Sequence, residues 1–175
     1  MANDLWRTPP EVFNYFDVKY RFVCDVAASE SNHLCAKYFT ESNSALDLNW
    51  CVNANSGDYV WCNPPYSDPL PWVEKCIYES KIHGIGSVIL LNHDMSTRWA
   101  QRLLNQECKV IVFTGKRIAF LNGEGNPVKG NSKGQVAFVI PPFMRSGKPI
   151  TEYAHLDDVM EFGAFVMASK LKEVA

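Results

Sequence analysis

Short apolar runs, each closed by polar or turn-forming residues, recur along the chain and predict buried β-strands. The strongest run is 87–91, where a serine is followed by aliphatic residues only. Other runs predict strands at 21–25, 37–40, 59–62, 110–113 and 135–140, of which 37–40 has the weakest pattern. Residues 118–121 and a second short arm near Val128 predict a hairpin around the glycine-containing stretch 122–126.

Helices are predicted between several of these strands and at the end of the chain. Residues 71–82 have apolar side chains at helical spacing, and Pro71 suits the first turn of that helix. Ser96 is the predicted N-cap of a helix that reaches about Asn105. A further helix is predicted within 155–173.

The order of these elements predicts the fold class. Strands that are apolar throughout and alternate with helices are typical of a mainly parallel sheet with helices on both faces, a three-layer α/β fold. The late hairpin and strand predict an antiparallel addition at one edge. Ligands bind at the carboxyl ends of the strands in such sheets. Asp25 closes one predicted strand and Asn63 follows another, so we expect both at the same rim.

Length and composition indicate the domain organisation and the class of protein. With 175 residues, of which 47% are hydrophobic and 21% charged, the chain is predicted to be one globular domain over 1–175. No apolar run is long enough to span a membrane, and the first residues lack the features of a signal peptide. We therefore expect a cytoplasmic protein. The six cysteines form no C-x-x-C pair and the four histidines do not cluster, so reduced thiols and no metal site are expected.

The charge balance is slightly acidic, with a net charge of −2 and a pI of about 6.1. This argues weakly against a chain that coats nucleic acid non-specifically, but a local basic face can still contact phosphates. The candidates for such a face are Lys116, Arg117, Lys129 and Lys133, with Arg145 and Lys148 further along the chain. The alternative, that these are solvated surface charges, stays open.

Asn63-Pro64-Pro65-Tyr66 is the segment with the clearest chemistry. An amino group on an aromatic ring is a poor nucleophile, because its lone pair is delocalised into the ring. Two acceptors aimed at its hydrogens favour the tetrahedral geometry that attack on a sulfonium methyl group requires. The Asn63 side-chain oxygen and the Pro64 carbonyl can be these acceptors, and Tyr66 offers a face for a planar base. The structural alternative is a proline turn that closes a strand.

Asp25 is a second candidate. The small residues that follow it, Val26-Ala27-Ala28-Ser29, would let a nucleoside ligand approach the backbone. The alternative is an aspartate that caps a helix. No glycine-rich G-x-G loop follows the strand, so Asp25 alone is weak evidence for a cofactor site.

Taken in order, the motifs resemble the phage-type DNA N6-adenine methyltransferases, a Dam-like family. The resemblance extends from about Asp4 to about Pro142. It is carried by Trp-Arg-Thr-Pro-Pro at 6–10, Cys-Asp-Val-Ala-Ala at 24–28 with Asn32 after it, Ala-Leu-Asp-Leu-Asn-Trp at 45–50, Trp-Cys-Asn-Pro-Pro-Tyr-Ser at 61–67 and Gly-Lys-Arg-Ile-Ala-Phe at 115–120. The ordered set is far more specific than any one segment.

The resemblance implies a Rossmann-like methyltransferase sheet with S-adenosylmethionine as methyl donor and double-stranded DNA as partner. It implies that 6–10 closes over the cofactor, that Asp25 lies near the methionine or ribose portion, and that Asp47 lies near the adenine or ribose. Asn63 to Tyr66 would hold the target adenine, and GATC is the implied target sequence. The full implied cofactor set is Trp6, Thr8, Pro9, Pro10, Asp25, Ala27 and Asp47.

Several readings stay open at this stage. Residues 116–133 are the candidate DNA-recognition insertion, and so short a segment fits a dimer, a small recognition loop or relaxed sequence specificity. The chain is expected to be a monomer or a homodimer. The same four-residue motif also fits methylation of cytosine N4 or of a glutamine side chain in a protein. A non-catalytic DNA-binding module that retains the fold is a further alternative.

Overall fold

A single six-stranded sheet forms the centre of the molecule. The computed structural model describes residues 4–174. The expectation that the first residues lack signal-peptide features concerns, in part, residues 1–3, which lie outside the described residues. The strands are β1 (Cys24–Asp25), β2 (Tyr59–Cys62), β3 (Gly86–Asn92), β4 (Lys109–Thr114), β5 (Gln135–Ile140) and β6 (Ile150–His155). Their order across the sheet is β1-β2-β3-β5-β4-β6.

Five of the six strands point the same way. β1, β2 and β3 are mutually parallel, and β4 is parallel to β6. β5 is antiparallel to both of its neighbours, β3 and β4. The predicted mainly parallel sheet with an antiparallel addition is confirmed. The antiparallel strand lies inside the sheet, between β3 and β4, and the parallel strand β6 occupies the margin on that side.

Helices cover both faces, which completes the three layers. They are α1 (Pro10–Tyr20), α2 (Leu70–Tyr78), α3 (Arg98–Leu103) and α4 (Leu156–Val174). α1 packs against α4, and α2 packs against α3. Because side chains alternate across a strand, Val88 and Leu90 of β3 join the α1/α4 core, whereas Ile89 and Leu91 join the α2/α3 core.

Local sequence explains where the helices begin and end. Pro10 at the first position of α1 supplies a helical φ and has no N–H to leave unpaired. Thr97 caps α3 by accepting a hydrogen bond from the Ala100 N–H at 3.3 Å, so the cap is one residue later than the predicted Ser96. α2 continues into a π-helical turn, Glu79–His83, which ends at Gly84 with a left-handed φ of 65°.

Some elements differ from the sequence-based expectation. β1 is only two residues long, and 37–40 forms two isolated bridges, Tyr38 to Asp25 and Thr40 to Asn43, instead of a strand. The predicted hairpin at 118–128 is reduced to a tight turn with one bridge, Leu121 to Pro127. α1 and β6 were not predicted. The apolar residues of α1 are interrupted by polar ones, and nearly all of β6 is exposed, so neither has a clear periodic pattern.

Within residues 4–174, no helix is long and apolar enough to cross a membrane. The six cysteines are free thiols, and only Cys51 is exposed. The part of the chain that the structure describes holds no group of three or more potential metal ligands.

The contact between α1 and α4 depends on a glycine. A Cβ added at Gly163 would overlap the backbone carbonyl of Glu11 in the first turn of α1. Lys170 of α4 also donates to Asn14 at 2.8 Å and to the Asp17 carboxylate at 2.6 Å. These contacts fix the start of α1, and therefore the segment that precedes it.

We predict that Gly163→Ala lowers the free energy of unfolding by about 1–3 kcal/mol. The added methyl group would meet the backbone carbonyl of Glu11, which cannot move aside as a flexible side chain could. This is expected although alanine gains about 1 kcal/mol over glycine in a helix interior. Urea denaturation of the variant measures the change. Ala164→Ser, at the exposed neighbouring position, is the control; a Gly163→Ala protein as stable as the wild type would contradict the close contact.

Candidate active site

The carboxyl ends of the parallel strands gather the predicted site residues at one rim. Asp25 ends β1 and pairs in register with Trp61, so Asn63 follows two residues further on, just after the neighbouring strand β2 ends at the same rim. The expectation that Asp25 and Asn63 share a rim is confirmed. β5 runs the opposite way, so its first residue, Gln135, lies at this rim opposite Asn92 of β3.

The Asn63 side chain is oriented by the N-terminal segment. Its amide nitrogen Nδ2 donates to the backbone carbonyl of Trp6 at 3.3 Å. Its oxygen Oδ1 is buried and has no hydrogen-bond partner among residues 4–174. Since a carbonyl can only accept, the contact with Trp6 assigns the amide: the NH₂ group faces Trp6 and the oxygen remains for a ligand.

The N-terminal segment is held over the motif by further contacts. The Trp6 ring stacks on Phe120, with centroids 5.5 Å apart and an interplanar angle of 25°. Arg7 and Leu121 exchange two backbone hydrogen bonds of 2.9 Å. The Asp4 carboxylate accepts from the Ser67 backbone N–H at 3.0 Å and from its hydroxyl at 2.7 Å. The segment therefore bridges the Asn-Pro-Pro-Tyr motif and the loop after β4.

Two hydroxyl groups of the site are buried without a partner in the described residues. They are Thr8 Oγ1 and the Tyr66 hydroxyl. Burial raises the pKa of Tyr66 above its ordinary range, so the group stays a neutral phenol. The Tyr66 ring meets Phe120 edge to face at 5.9 Å. Buried polar groups are normally hydrogen-bonded, so these hydroxyls mark places where a polar ligand can bind.

Asp25 is 4% exposed, and its carboxylate holds the loop that follows β1. Oδ1 accepts from the Ala27 N–H at 3.3 Å and Oδ2 from the Leu34 N–H at 3.1 Å. Burial raises the pKa of Asp25 to about 6, although these backbone hydrogen bonds lower it in part. A carboxylate has about four acceptor sites, so two remain for a ligand.

The other residues of the predicted cofactor set have mixed positions. Pro9 is buried and Pro10 begins α1, so both continue the N-terminal segment from Thr8 into the helix. Asp47 is exposed in a turn, and its side chain makes no hydrogen bond or ion pair within residues 4–174. The structure therefore joins Asn63 to the N-terminal segment through the Trp6 carbonyl, two residues before the buried Thr8, while the Asp47 side chain makes no hydrogen bond to either of them.

A pocket of about 260 Å³ opens beside Tyr66. Its lining includes Ser67 from the loop after β2 and Asn92 and Asp94 from the end of β3. The Trp99 side chain of α3 and Lys133 complete the wall. Asn92 and Asp94 come at the end of the strongest predicted strand, and Trp99 was not predicted as a site residue, because an apolar residue in a predicted helix is typical of core.

The predicted basic residues separate into two groups. Lys116, Arg117, Lys129 and Lys133 are all exposed in the loop 115–134, which leaves the rim after β4 and returns to it at β5. Arg145 pairs with Glu107 at 3.0 Å just before β4 begins, and Lys148 precedes β6, so both lie near the opposite rim. Including Arg145 and Lys148 in the same face was wrong, because strand direction puts them at the other end of the sheet.

The four basic residues of the first group differ in the contacts that their side chains make. Lys116 pairs with Asp157 at 2.8 Å, with both side chains more than half exposed. Such a pair contributes about 0–1 kcal/mol and exchanges readily for a phosphate. Arg117 Nη1 donates to the Asn131 carbonyl at 3.3 Å. Lys129 and Lys133 have no ion pair within residues 4–174.

A larger cavity of about 590 Å³ lies between α1 and α4. It is lined by Asp17, Phe22, Phe162 and Lys170 among others, and Phe22 precedes β1. It is therefore near the amino ends of the strands and contains no residue of the motifs. Size alone does not identify the site, and we place the functional centre at the carboxyl rim.

A mainly parallel three-layer sheet whose rim carries Asn-Pro-Pro-Tyr defines a Rossmann-like methyltransferase fold. The sequence matches the family DNA N-6-adenine-methyltransferase (Dam) over residues 1–166. It is 34% identical to the DNA N-6-adenine-methyltransferase of Haemophilus phage HP1, over 91% of each chain. It is 32% identical to the protein of that name from Escherichia phage T1, over 90% of this chain and 71% of that one. The chain belongs to the Dam family of DNA N-6-adenine-methyltransferases.

We predict that Asp25 makes stability depend on pH in an unusual direction. Its folded-state pKa of about 6 lies above the ordinary 3.8, so the folded protein holds this proton more tightly than the unfolded chain. The stabilising contribution is present below about pH 4 and is lost as pH rises through about 6. The stability of the wild type relative to Asp25→Asn should fall by up to about 3 kcal/mol across that interval.

Urea denaturation of both proteins without ligand, from pH 4 to pH 7.5, measures this difference. Asp47→Asn, at an exposed position, is the matched control. A wild-type-to-variant difference that stays constant with pH would mean that Asp25 ionises in the fold as it does in the unfolded chain.

Proposed function

We propose that the protein transfers a methyl group from S-adenosylmethionine to the exocyclic N6 amino group of adenine in double-stranded DNA. The observation that carries the proposal is the Asn63 amide, whose Nδ2 is engaged by Trp6 while Oδ1 is buried and unpaired. An unpaired buried acceptor is costly unless a ligand satisfies it. Family membership and the names of the two phage relatives support adenine as the target.

The chemistry follows from two acceptors at one amino group. Asn63 Oδ1 would accept one N6 hydrogen and the Pro64 carbonyl the other. Both bonds strengthen as positive charge develops on nitrogen during methyl transfer, so they stabilise the transition state more than the ground state. No base with a shifted pKa is needed, because the proton can leave to water after transfer.

The pocket beside Tyr66 is suited to a flipped base. The pocket has a volume of about 260 Å³ and is lined by Tyr66 and by Ser67, the residue after the Asn-Pro-Pro-Tyr motif. The aromatic side chains of Tyr66 and Trp99 form part of its wall. Extrusion from the duplex costs a few kcal/mol of unstacking, which stacking on Tyr66 would offset in part. The unpaired Tyr66 hydroxyl would bind a polar group of the substrate or cofactor.

The residues at the adjoining part of the rim fit S-adenosylmethionine. The buried Asp25 carboxylate suits a cationic or hydroxyl-bearing ligand, and Thr8 Oγ1 is a buried polar atom without a partner in the described residues. We assign Trp6, Thr8, Pro9 and Pro10 to its cover and Ala27 to a close backbone approach. Asp47 is assigned on family resemblance alone. The cofactor, when bound, supplies an electrophilic methyl carbon on a sulfonium sulfur.

DNA would lie across the loop 115–134. Lys116, Arg117, Lys129 and Lys133 supply positive charge at the same rim as the base pocket, so phosphate contacts and base capture fall on one face. We propose that 116–133 is the recognition insertion of a single methyltransferase domain, acting as monomer or homodimer, with GATC as the target. A phage-related enzyme with this substrate would act in the bacterial cytoplasm.

We predict that Asn63→Ala lowers kcat by about 10²–10³-fold, the usual effect of removing one transition-state hydrogen bond. S-adenosylmethionine affinity, measured by calorimetry, should stay within about twofold. Asn63→Asp keeps an acceptor oxygen and should retain more activity than Asn63→Ala. Asn105→Ala, exposed at the end of α3, is the matched control. Unchanged turnover in Asn63→Ala would remove Asn63 from the mechanism.

The substrate is tested by incubating unmethylated double-stranded DNA with S-adenosylmethionine that carries a labelled methyl group. After digestion to nucleosides, we expect label in N6-methyldeoxyadenosine and none in N4-methyldeoxycytidine. Short duplexes that contain GATC or the permuted GTAC should differ in labelling if GATC is the target, and equal labelling would reject that specificity.

The competing functions give different results in the same experiment. Label in methylcytidine would indicate cytosine N4 as the target. Label recovered only in added protein would indicate a glutamine side chain. DNA binding without transfer or cofactor binding would indicate a non-catalytic module.

A further inference from the structure

Gln135 is a buried polar residue whose role no motif assigns. It is 1% exposed, at the first position of β5 and at the rim of the sheet. Every hydrogen-bonding group of its side-chain amide is used. Oε1 accepts from the Ile118 N–H at 3.3 Å and from Asn131 Nδ2 at 3.1 Å. Nε2 donates to Asn92 Oδ1 at 3.3 Å and to the Lys133 carbonyl at 2.9 Å.

These four partners come from two parts of the site. Ile118, Asn131 and Lys133 belong to the loop 115–134, near its beginning and its end. Asn92 belongs to β3 and lines the pocket beside Tyr66. One amide therefore joins both arms of the DNA-facing loop to the wall of the base pocket.

The first arm of the loop is also held by the buried side chains of Ile118 and Phe120, whereas 122–134 contains no buried residue. The loop contains no helix or regular strand, and its bridges are Leu121 to Arg7 and Leu121 to Pro127. Asn131 Nδ2 also donates to the Ile118 carbonyl at 3.0 Å, which closes the two arms on each other. Because buried hydrogen bonds are directional and costly to leave unmade, a fully satisfied amide of this kind selects one loop arrangement.

We propose that Gln135 is a positioning residue that sets the alignment of the DNA-facing loop with the base pocket, and thereby the sequence preference of the enzyme. The proposal rests on the function proposed above. Gln135 does not touch the reacting atoms. It acts through Asn92 on one side and through Ile118 and Asn131 on the other. Base contacts on the loop read the sequence only if their distance from the flipped base is constant.

Gln135→Met tests the proposal, because methionine matches glutamine in length and removes all four hydrogen bonds. The preference for the sites that the wild type methylates, over duplexes with one changed base pair, should fall by about tenfold. KM for DNA should rise while kcat at saturating DNA changes by less than about threefold. Gln135→Glu keeps both accepted hydrogen bonds and should show an intermediate loss of preference. Gln101→Met, exposed on α3, is the control.

Amide hydrogen exchange gives a readout that does not depend on methyl transfer. Protection at 118–121 should fall in Gln135→Met while protection in β3 and β4 is retained. If Gln135→Met does not fold, Asn131→Ala at its partly exposed partner should produce the same losses of preference and protection. Unchanged preference and unchanged exchange in a folded variant would overturn the proposal. A wild-type protein that makes no N6-methyladenine would instead overturn the proposed function. Amide hydrogen exchange would then still test whether Gln135 holds the loop in position.

Discussion

The hydrogen bond from Asn63 Nδ2 to the Trp6 carbonyl is the contact on which the site depends. It determines which atom of the Asn63 amide stays unpaired, and it adds to the contacts of Asp4, Trp6 and Arg7 that hold the N-terminal segment over the motif. That segment in turn reaches Phe120 through the Trp6 ring and Leu121 through Arg7. The Asn-Pro-Pro-Tyr motif, the N-terminal segment and the loop 115–134 therefore form one connected structure.

The direction of β5 determines where the loop 115–134 lies. A chain that leaves the rim after β4 must return to the same rim to enter an antiparallel strand. The loop 115–134 therefore begins and ends at the carboxyl side of the sheet, beside the pocket at Tyr66. A parallel strand in that position would have taken the chain across the sheet and placed Gln135 at the opposite end.

The elements that were predicted correctly from the sequence are those with strong local hydrophobic patterns. β2 and β5 have the predicted bounds, and β3, β4 and α4 lie within one or two residues of the predicted ones. The rim shared by Asp25 and Asn63 followed from the alternation of strands and helices. α1 could not be predicted, because its apolar face is defined by packing on β2, β4 and α4, which are far away in sequence. Arg145 and Lys148 were misplaced for a similar reason, since their position depends on the direction of strands that follow or precede them. Gln135 has no sequence signal beyond a polar residue at the start of an apolar strand.

The packing of α4 on α1 joins the two ends of the chain. Lys170 binds Asp17 across a separation of 153 residues, and Gly163 lies against the first turn of α1. During synthesis the aromatic residues of α1 can pack on β2 and β4 before α4 is made, but the surface of α1 that faces α4 stays uncovered until α4 emerges. The N-terminal segment that covers the Asn-Pro-Pro-Tyr motif continues directly into α1, so the contacts of α4 contribute to its position. Contacts of such long range also slow folding. The packing that holds α1, and with it the segment over Asn-Pro-Pro-Tyr, is therefore complete only after α4 has been synthesised.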